Sequence, residues 1–188
     1  MNTAMTREDA WNLLNEFTKS ESLIKHALAV EAAMSHYAAR FNADQELWGI
    51  TGLLHDFDYE RWPNPPDHTR EGARILRERG VNEETVSAIL SHAEWNQPDF
   101  PLDRPLRKAL FAVDELSGFV TAVAYVRPEK LTGMTASSVR KKMKQKSFAA
   151  AVSRDDIEKG AQLLELPLDE HITNVITALQ SIVPKLGF

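Results

Sequence analysis

The sequence predicts an all-α protein: a single helical bundle over residues 1–188 with a C-terminal helical extension. Three observations predict it. Apolar residues recur at alternating steps of four and three, as on one face of a helix. Residues that open and close helices stand at the ends of those runs. Few stretches alternate apolar and polar residues with a period of two, so no sheet is expected. The 188 residues, 43% hydrophobic and 26% charged, suffice to fill a core and stay soluble.

The elements follow in order. Thr6 with Asp9 is a capping pair for a helix from Arg7 to Thr18. Leu23, Ala27, Val30, Met34, Tyr37 and Phe41 form one apolar face from Glu21 to Phe41. A third helix runs from Asp44 to about Phe57, and Pro63, Pro65 and Pro66 then break the pattern. Helical spacing returns from His68 to Arg79, with Gly80 placed to end it. Asn82 caps Glu83 to about Glu94, and Pro98 and Pro101 mark a second loop. Pro105 suits the first turn of a helix reaching about Val126, and Pro128 ends it. Beyond lie a turn at Thr132 to Thr135, a basic run from Ser137 to Lys146, and helices over Asp155 to Leu164 and Asp169 to Leu186. Residues 128–188 are expected to pack on the core as an extension, not to form a separate domain.

Composition narrows the chemistry. The chain has no cysteine, which removes disulfides, thiolate ligands and a cysteine nucleophile. A net charge of −5 disfavours a nucleic-acid polymer or a membrane surface as partner. Met1 to Arg7 lacks a basic-then-apolar leader and no apolar run approaches the roughly 18 residues of a membrane span, so a cytoplasmic protein is expected. Nothing in the sequence sets an oligomeric state.

The histidines carry the sharpest signal. His26 stands beside the inward stripe of the second helix, and His55-Asp56 lies near the end of the third. His68 shares a stripe with Gly72, Ile75 and Leu76, and His92 with Thr85, Ala88 and Ile89. Asp114 lies in line with Leu110, Val113 and Ser117. A carboxylate on an apolar helix face is costly unless it is paired or bound to a cation. Five or six such groups from five helices, pointing to one interior, suit a divalent Mn, Fe, Co, Ni or Zn ion and, less readily, Mg. Singly, each has an ordinary explanation: a His-Asp pair arises by chance, and a lone core histidine is usually hydrogen-bonded.

The order His26, His55-Asp56, Asp114 resembles that of the HD-domain superfamily of metal-dependent phosphohydrolases, over about residues 21–126. Ile50-Thr-Gly-Leu-Leu-His-Asp56 is similar to the helix that leads into that family's signature pair. The resemblance implies that His26, His55, Asp56 and Asp114 hold a first metal. His68-Thr-Arg-Glu-Gly-Ala-Arg-Ile-Leu76 and Ile89-Leu-Ser-His-Ala-Glu94 resemble the histidine-bearing helices of binuclear members. They imply a second metal on His68 and His92, with Asp56 bridging. One or two divalent transition ions per chain are thus expected. Phe57-Asp58-Tyr59 departs from the Ile-Gly-Lys of cyclic-dinucleotide-cleaving relatives, and Ala93 from their second consecutive histidine, which disfavours a cyclic di-GMP phosphodiesterase. Dinucleoside-tetraphosphate hydrolases and di-iron oxygenases of the inositol-oxygenase type share the ligand order, so hydrolysis and oxygen chemistry both stay open.

The activity implied first is cleavage of a phosphoester or phosphoanhydride in a small phosphorylated metabolite, a nucleotide foremost, by metal-activated hydroxide. The second is a di-iron oxygenase, and the third a noncatalytic metal-binding module. Asp58, Tyr59 and Arg61 follow the signature pair and are candidates for the mouth of the site, Asp58 as a catalytic group orienting water or else as a loop-turn carboxylate. Arg140 and Lys144, in the only dense basic run, are candidates for a substrate phosphate, or else belong to a solvated face. Glu94 is a candidate partner for a ligand imidazole, or equally a solvated side chain. Trp62 and Trp95 sit in the loops flanking the ligands, available to pack or to stack on a base or sugar. His36 and His171 are expected at the surface.

Overall fold

The computed structural model describes residues 5–188; the reading of the chain's start as lacking a leader falls partly on residues 1–4, outside the described residues. Among the described residues there are ten α-helices, one 3-10 turn and no strand. They are α1 (Arg7–Phe17), α2 (Glu21–Arg40), α3 (Gln45–Leu54), α4 (Asp67–Glu78), α5 (Glu83–His92), α6 (Pro105–Tyr125), α7 (Ala136–Met143), α8 (Arg154–Leu163), α9 (Leu168–Gln180) and α10 (Val183–Leu186). The 3-10 turn is Glu94–Asn96. No helix among the described residues is long and apolar enough to cross a membrane.

Local chemistry starts the helices. Thr6 and Asp9 form a reciprocal capping box on α1. Asp44 accepts hydrogen bonds from the backbone N–H of Glu46 and Leu47, each at 3.0 Å, and so opens α3. Asn82 accepts from Glu84 N at 2.7 Å at the start of α5. Pro105 occupies the first turn of α6, where its missing N–H costs nothing.

Helix α6 is buried along most of its length, and α2, α5, α8 and α9 pack around it. Helix α3 packs on α2, and Val30, Met34, Leu53, Leu54, Leu110, Val113, Leu116 and Phe119 are buried in the core these helices share. Each such side chain contributes roughly 1.5–3 kcal/mol on leaving water. Helix α8 comes unusually near α6: a Cβ on Gly160 would lie 2.6 Å from Ala112 Cα, closer than any side chain allows. That approach lays one face of α8 beside the middle of α6.

Three expectations need correction. The run from His68 to Arg79 is not one helix, because His68 (ψ 136°) and Thr69 (φ 66°) break it, so His68 precedes the regular turns instead of riding on their stripe. The run from Asp169 to Leu186 divides at Ser181–Ile182 into α9 and α10, with Pro184, which has no N–H to donate, in the first turn of α10. His171, expected at the surface, is 0% exposed. Its Nδ1 accepts from Tyr37 Oη at 2.6 Å and its Nε2 donates to Ala112 O at 2.9 Å, tying α9 to α2 and α6. Burial lowers the His171 pKa to about 4, so the ring is neutral. His36 is half-buried in a groove between α2 and α9.

Candidate metal centre

Five of these elements deliver the six candidate ligands to one place. His26 comes from α2, His55-Asp56 from the end of α3, His68 from the bend before the regular turns of α4, His92 from the last turn of α5, and Asp114 from the middle of α6. His26 Nε2 lies 3.0 Å from Asp114 Oδ1 and 3.2 Å from His55 Nε2. His55 Nε2 lies 3.4 Å from both Asp114 Oδ1 and Asp56 Oδ2. Asp56 Oδ1 then stands 3.3 Å from His68 Nε2 and 3.3 Å from His92 Nε2. Two groups, His26-His55-Asp56 and Asp56-His68-His92, each offer three ligand atoms within 4.8 Å of one another. Asp56 belongs to both.

The imidazoles are aimed. His55 Nδ1 donates to Gly52 O at 2.8 Å, His92 Nδ1 donates to Ile89 O at 2.6 Å, and His68 Nδ1 donates to Asp58 Oδ1 at 3.1 Å. A proton fixed on Nδ1 leaves Nε2 to face the carboxylates, the tautomer that ligates a cation. Asp56 Oδ1 supplies the decisive observation. It is buried, and among the described residues no hydrogen bond of acceptable geometry reaches it, although two imidazole nitrogens stand nearby. A buried carboxylate oxygen without a donor is costly, and a divalent cation among these nitrogens removes the cost. The donor set of imidazole and carboxylate suits a transition ion.

The local electrostatics agree. Burial disfavours charge on His55, yet Asp56 and Asp114 outweigh it and hold the His55 pKa well above its ordinary value. Burial likewise opposes ionisation of Asp56 and Asp114, and the positive field of His55 wins, keeping both carboxyls far below the usual range. His68 is raised to about 9, against its burial, by Asp56 and Asp58. Positive charge is therefore favoured at this point of the interior. Beside it, burial and the neighbouring Asp114 push the Glu115 carboxyl up to about 7.

Asp58 does something other than orient water. It is 1% exposed, and both its oxygens are committed. Oδ1 accepts from His68 Nδ1, while Oδ2 accepts from Thr69 N at 2.8 Å and Gly72 N at 3.0 Å. It thus caps the regular part of α4 from outside and fixes the His68 ring in one stroke. Gly72 makes room for it: a Cβ there would lie 2.8 Å from Asp58 Oδ2.

A cavity of about 580 Å³ opens on the cluster. Tyr59 lines it, as do Glu94, Trp95 and Gln97 on one side and Phe111, Glu115, Asp156 and Lys159 on the other. The other basic candidates are elsewhere. Arg61 Nη2 donates to Glu16 O at 2.8 Å and its guanidinium lies 3.9 Å over the Phe17 ring. Arg140 pairs with Asp169 at 3.1 Å, and Lys144 is exposed beyond the end of α7; neither lines the cavity. Trp62 packs toward Phe17, centroids 6.2 Å apart. Lys159, the sole lysine or arginine lining the cavity among the described residues, has no conspicuous setting in the sequence. It reaches the site because Gly160 lets α8 press against α6, and its ammonium sits 4.7 Å over the Phe111 ring. Its only sequence signal is that glycine inside an amphipathic helix.

Fold and cluster together define a helical protein whose core is built around a histidine-aspartate centre. The family model of the HD domain matches residues 23–131, more than half of the chain, and the chain belongs to that family. Among solved structures, the HD domain of the phosphodiesterase PgpH from L. monocytogenes is similar. The TM-score is 0.50 at 15% identity, covering 91% of this chain and 98% of that one. At that identity the likeness concerns the fold.

Proposed function

We propose that this protein is a metal-dependent phosphohydrolase acting on a small phosphorylated metabolite. The observation that carries the reading is Asp56, whose buried Oδ1 lacks a hydrogen bond at the junction of two ligand groups. His26, His55 and Asp114 with Asp56 would hold one divalent ion, and His68 and His92 with Asp56 a second. Such ions acidify water to near-neutral pKa and polarise a phosphoryl oxygen. The chain's own residues do the rest. Backbone carbonyls and Asp58 hold three imidazoles with Nε2 inward, so no reorganisation is needed on loading. Lys159 supplies the positive charge that meets a phosphorylated substrate, and Phe111 supports its ammonium. An open cavity beside the cluster favours a site that takes a substrate over a closed structural ion site. Membership of the HD-domain family, whose resemblance implies phosphohydrolysis first, favours phosphorus chemistry over oxygen chemistry.

The test is elemental analysis of protein purified without chelator, followed by a phosphoester screen of the same sample. Close to two transition ions per chain, with turnover that a chelator abolishes, is the expected result. No metal after reconstitution with each of Mn, Fe, Co, Ni and Zn would overturn the reading. So would bound iron with oxygen-dependent turnover and no phosphoester cleavage.

A further inference from the structure

Two aromatic side chains stand at the cavity next to His68. The Tyr59 ring meets the His68 ring edge-on, centroids 5.1 Å apart, and the Trp95 ring lies 5.9 Å from it. Both line the cavity, and they are 39% and 37% exposed, whereas Trp48 is buried and Trp62 is turned onto Phe17. Their exposure is not looseness. Trp95 belongs to the 3-10 turn pinned by the buried Asn96, whose Nδ2 donates to Thr69 Oγ1 at 2.8 Å and to Leu90 O at 3.2 Å. Asn96 Oδ1 accepts in turn from Arg70 Nε at 3.0 Å. Tyr59 follows Asp58, whose carboxylate is triply bonded, and its own N–H donates to Asp56 O at 3.0 Å. Two large apolar faces are therefore held toward water by rigid backbone at the edge of the centre.

An aromatic ring left exposed forgoes the stabilisation of burial, and one held rigidly loses little entropy when a ligand covers it. The position matters as well. Contacts run from Asp114 through His26 and His55 to Asp56 and His68, so the aromatic pair lies at the His68 end of the centre and Lys159, over Phe111, at the Asp114 end. A substrate whose phosphoryl group sits at Asp56 would carry its organic part onto Tyr59 and Trp95.

We propose that Tyr59 and Trp95 form a stacking platform for a planar ring in the substrate, which makes the substrate class a ring-bearing phosphoester such as a nucleotide. This rests on the phosphohydrolase reading and narrows it. The test is calorimetric binding to the metal-loaded protein of two hydrolysis-resistant phosphonates, one carrying adenosine and the other only an ethyl group. The adenosine phosphonate binds at least about tenfold more tightly, as stacking on aromatic side chains provides. Trp95→Ala and Tyr59→Ala each remove about five- to tenfold of that preference, Trp95→Phe restores most of it, and ethylphosphonate binding moves by less than about twofold. Equal affinity of the two phosphonates for the unaltered protein overturns the platform. So does a Trp95→Ala variant that weakens both ligands alike. A screen of phosphoesters and phosphoanhydrides with the same metal-loaded protein separates the two readings: no turnover across it faults the hydrolase and leaves the ring preference to be judged by binding.

Discussion

Replacing Gly72 with Ala sets two effects of opposite sign against each other. In an open helix the exchange stabilises by about 1 kcal/mol, because alanine has less backbone entropy to lose. Here the added Cβ would stand 2.8 Å from Asp58 Oδ2, 2.9 Å from its Cγ and 3.1 Å from Phe57 Cε1. Ordinary contact begins near 3.4 Å, so the Asp58 carboxylate must retreat by about half an ångström. Phe57 and Asp58 are both buried and cannot retreat into solvent. Overpacking of this kind costs about 1–3 kcal/mol, and weakening a charge-assisted hydrogen bond to Thr69 N, Gly72 N or His68 adds about 1.5–3 kcal/mol. The strain wins, and Gly72→Ala is expected to lose about 2 kcal/mol of stability in urea unfolding. The functional consequence is more specific. With Asp58 displaced, His68 loses the partner that fixes its tautomer, and the ion held with His92 should bind about tenfold more weakly. The ion on His26, His55 and Asp114 should be unaffected. Stability by denaturation and two-site metal affinity by calorimetry check both halves. A variant as stable as the parent, with both affinities unchanged, would refute the role given to Asp58.

The other expectations concern the centre, the cavity and the core. Asp56→Ala should retain neither ion and lose activity, because both ligand groups share that residue; full metal content by elemental analysis would show the site misplaced. Lys159→Gln should raise KM for a phosphoester several-fold, by about 1 kcal/mol, while kcat changes little, and steady-state kinetics decides this. His171 should make folding depend on pH. Its pKa falls from 6.5 to about 4 on folding, so the unfolded chain takes up the proton first, and stability present above pH 6.5 is lost progressively down to about pH 4, by about 3 kcal/mol in all. The stability gap between the parent and His171→Leu should narrow by that amount between pH 7 and pH 4, and a gap that stays constant would contradict the buried neutral ring. His171→Leu should also keep its bound metal, since the ring contacts Tyr37 and Ala112 and no candidate ligand.

The helices were readable because their signals are local. Capping at Thr6, Asp44 and Asn82, proline at the head of α6 and apolar steps of three and four act within a few residues. The exceptions fall where a distant group competes. The bend at His68-Thr69 has no cause in its own segment; it exists because Asp58, ten residues earlier, caps the backbone at Thr69 and Gly72. His171 lies near charged neighbours in the chain, which suggested the surface, yet the approach of α9 to α2 and α6 gives it two hydrogen bonds in the interior.

The candidate ligands could be singled out by residue type and order, since imidazoles and carboxylates on apolar faces need a reason to be there. Residues around the centre could not be chosen that way. Which positive side chain lines the cavity is a matter of which surface meets which, so density of charge favoured Arg140 and Lys144 while packing brings Lys159 there. Trp62 and Trp95 were equivalent as letters, and only their surroundings turn one onto Phe17 and leave the other at the cavity. Sequence by itself determined the all-α class, the starts of α1, α3, α5 and α6, and the set of groups able to bind a cation, because those depend on short-range bonding and on the cost of burying charge. Tertiary structure alone decided that Nε2 of His55, His68 and His92 faces Asp56, that Asp58 holds the His68 ring, and that α8 reaches the cavity. Each of those depends on distances between segments far apart in the chain, which local patterns do not encode.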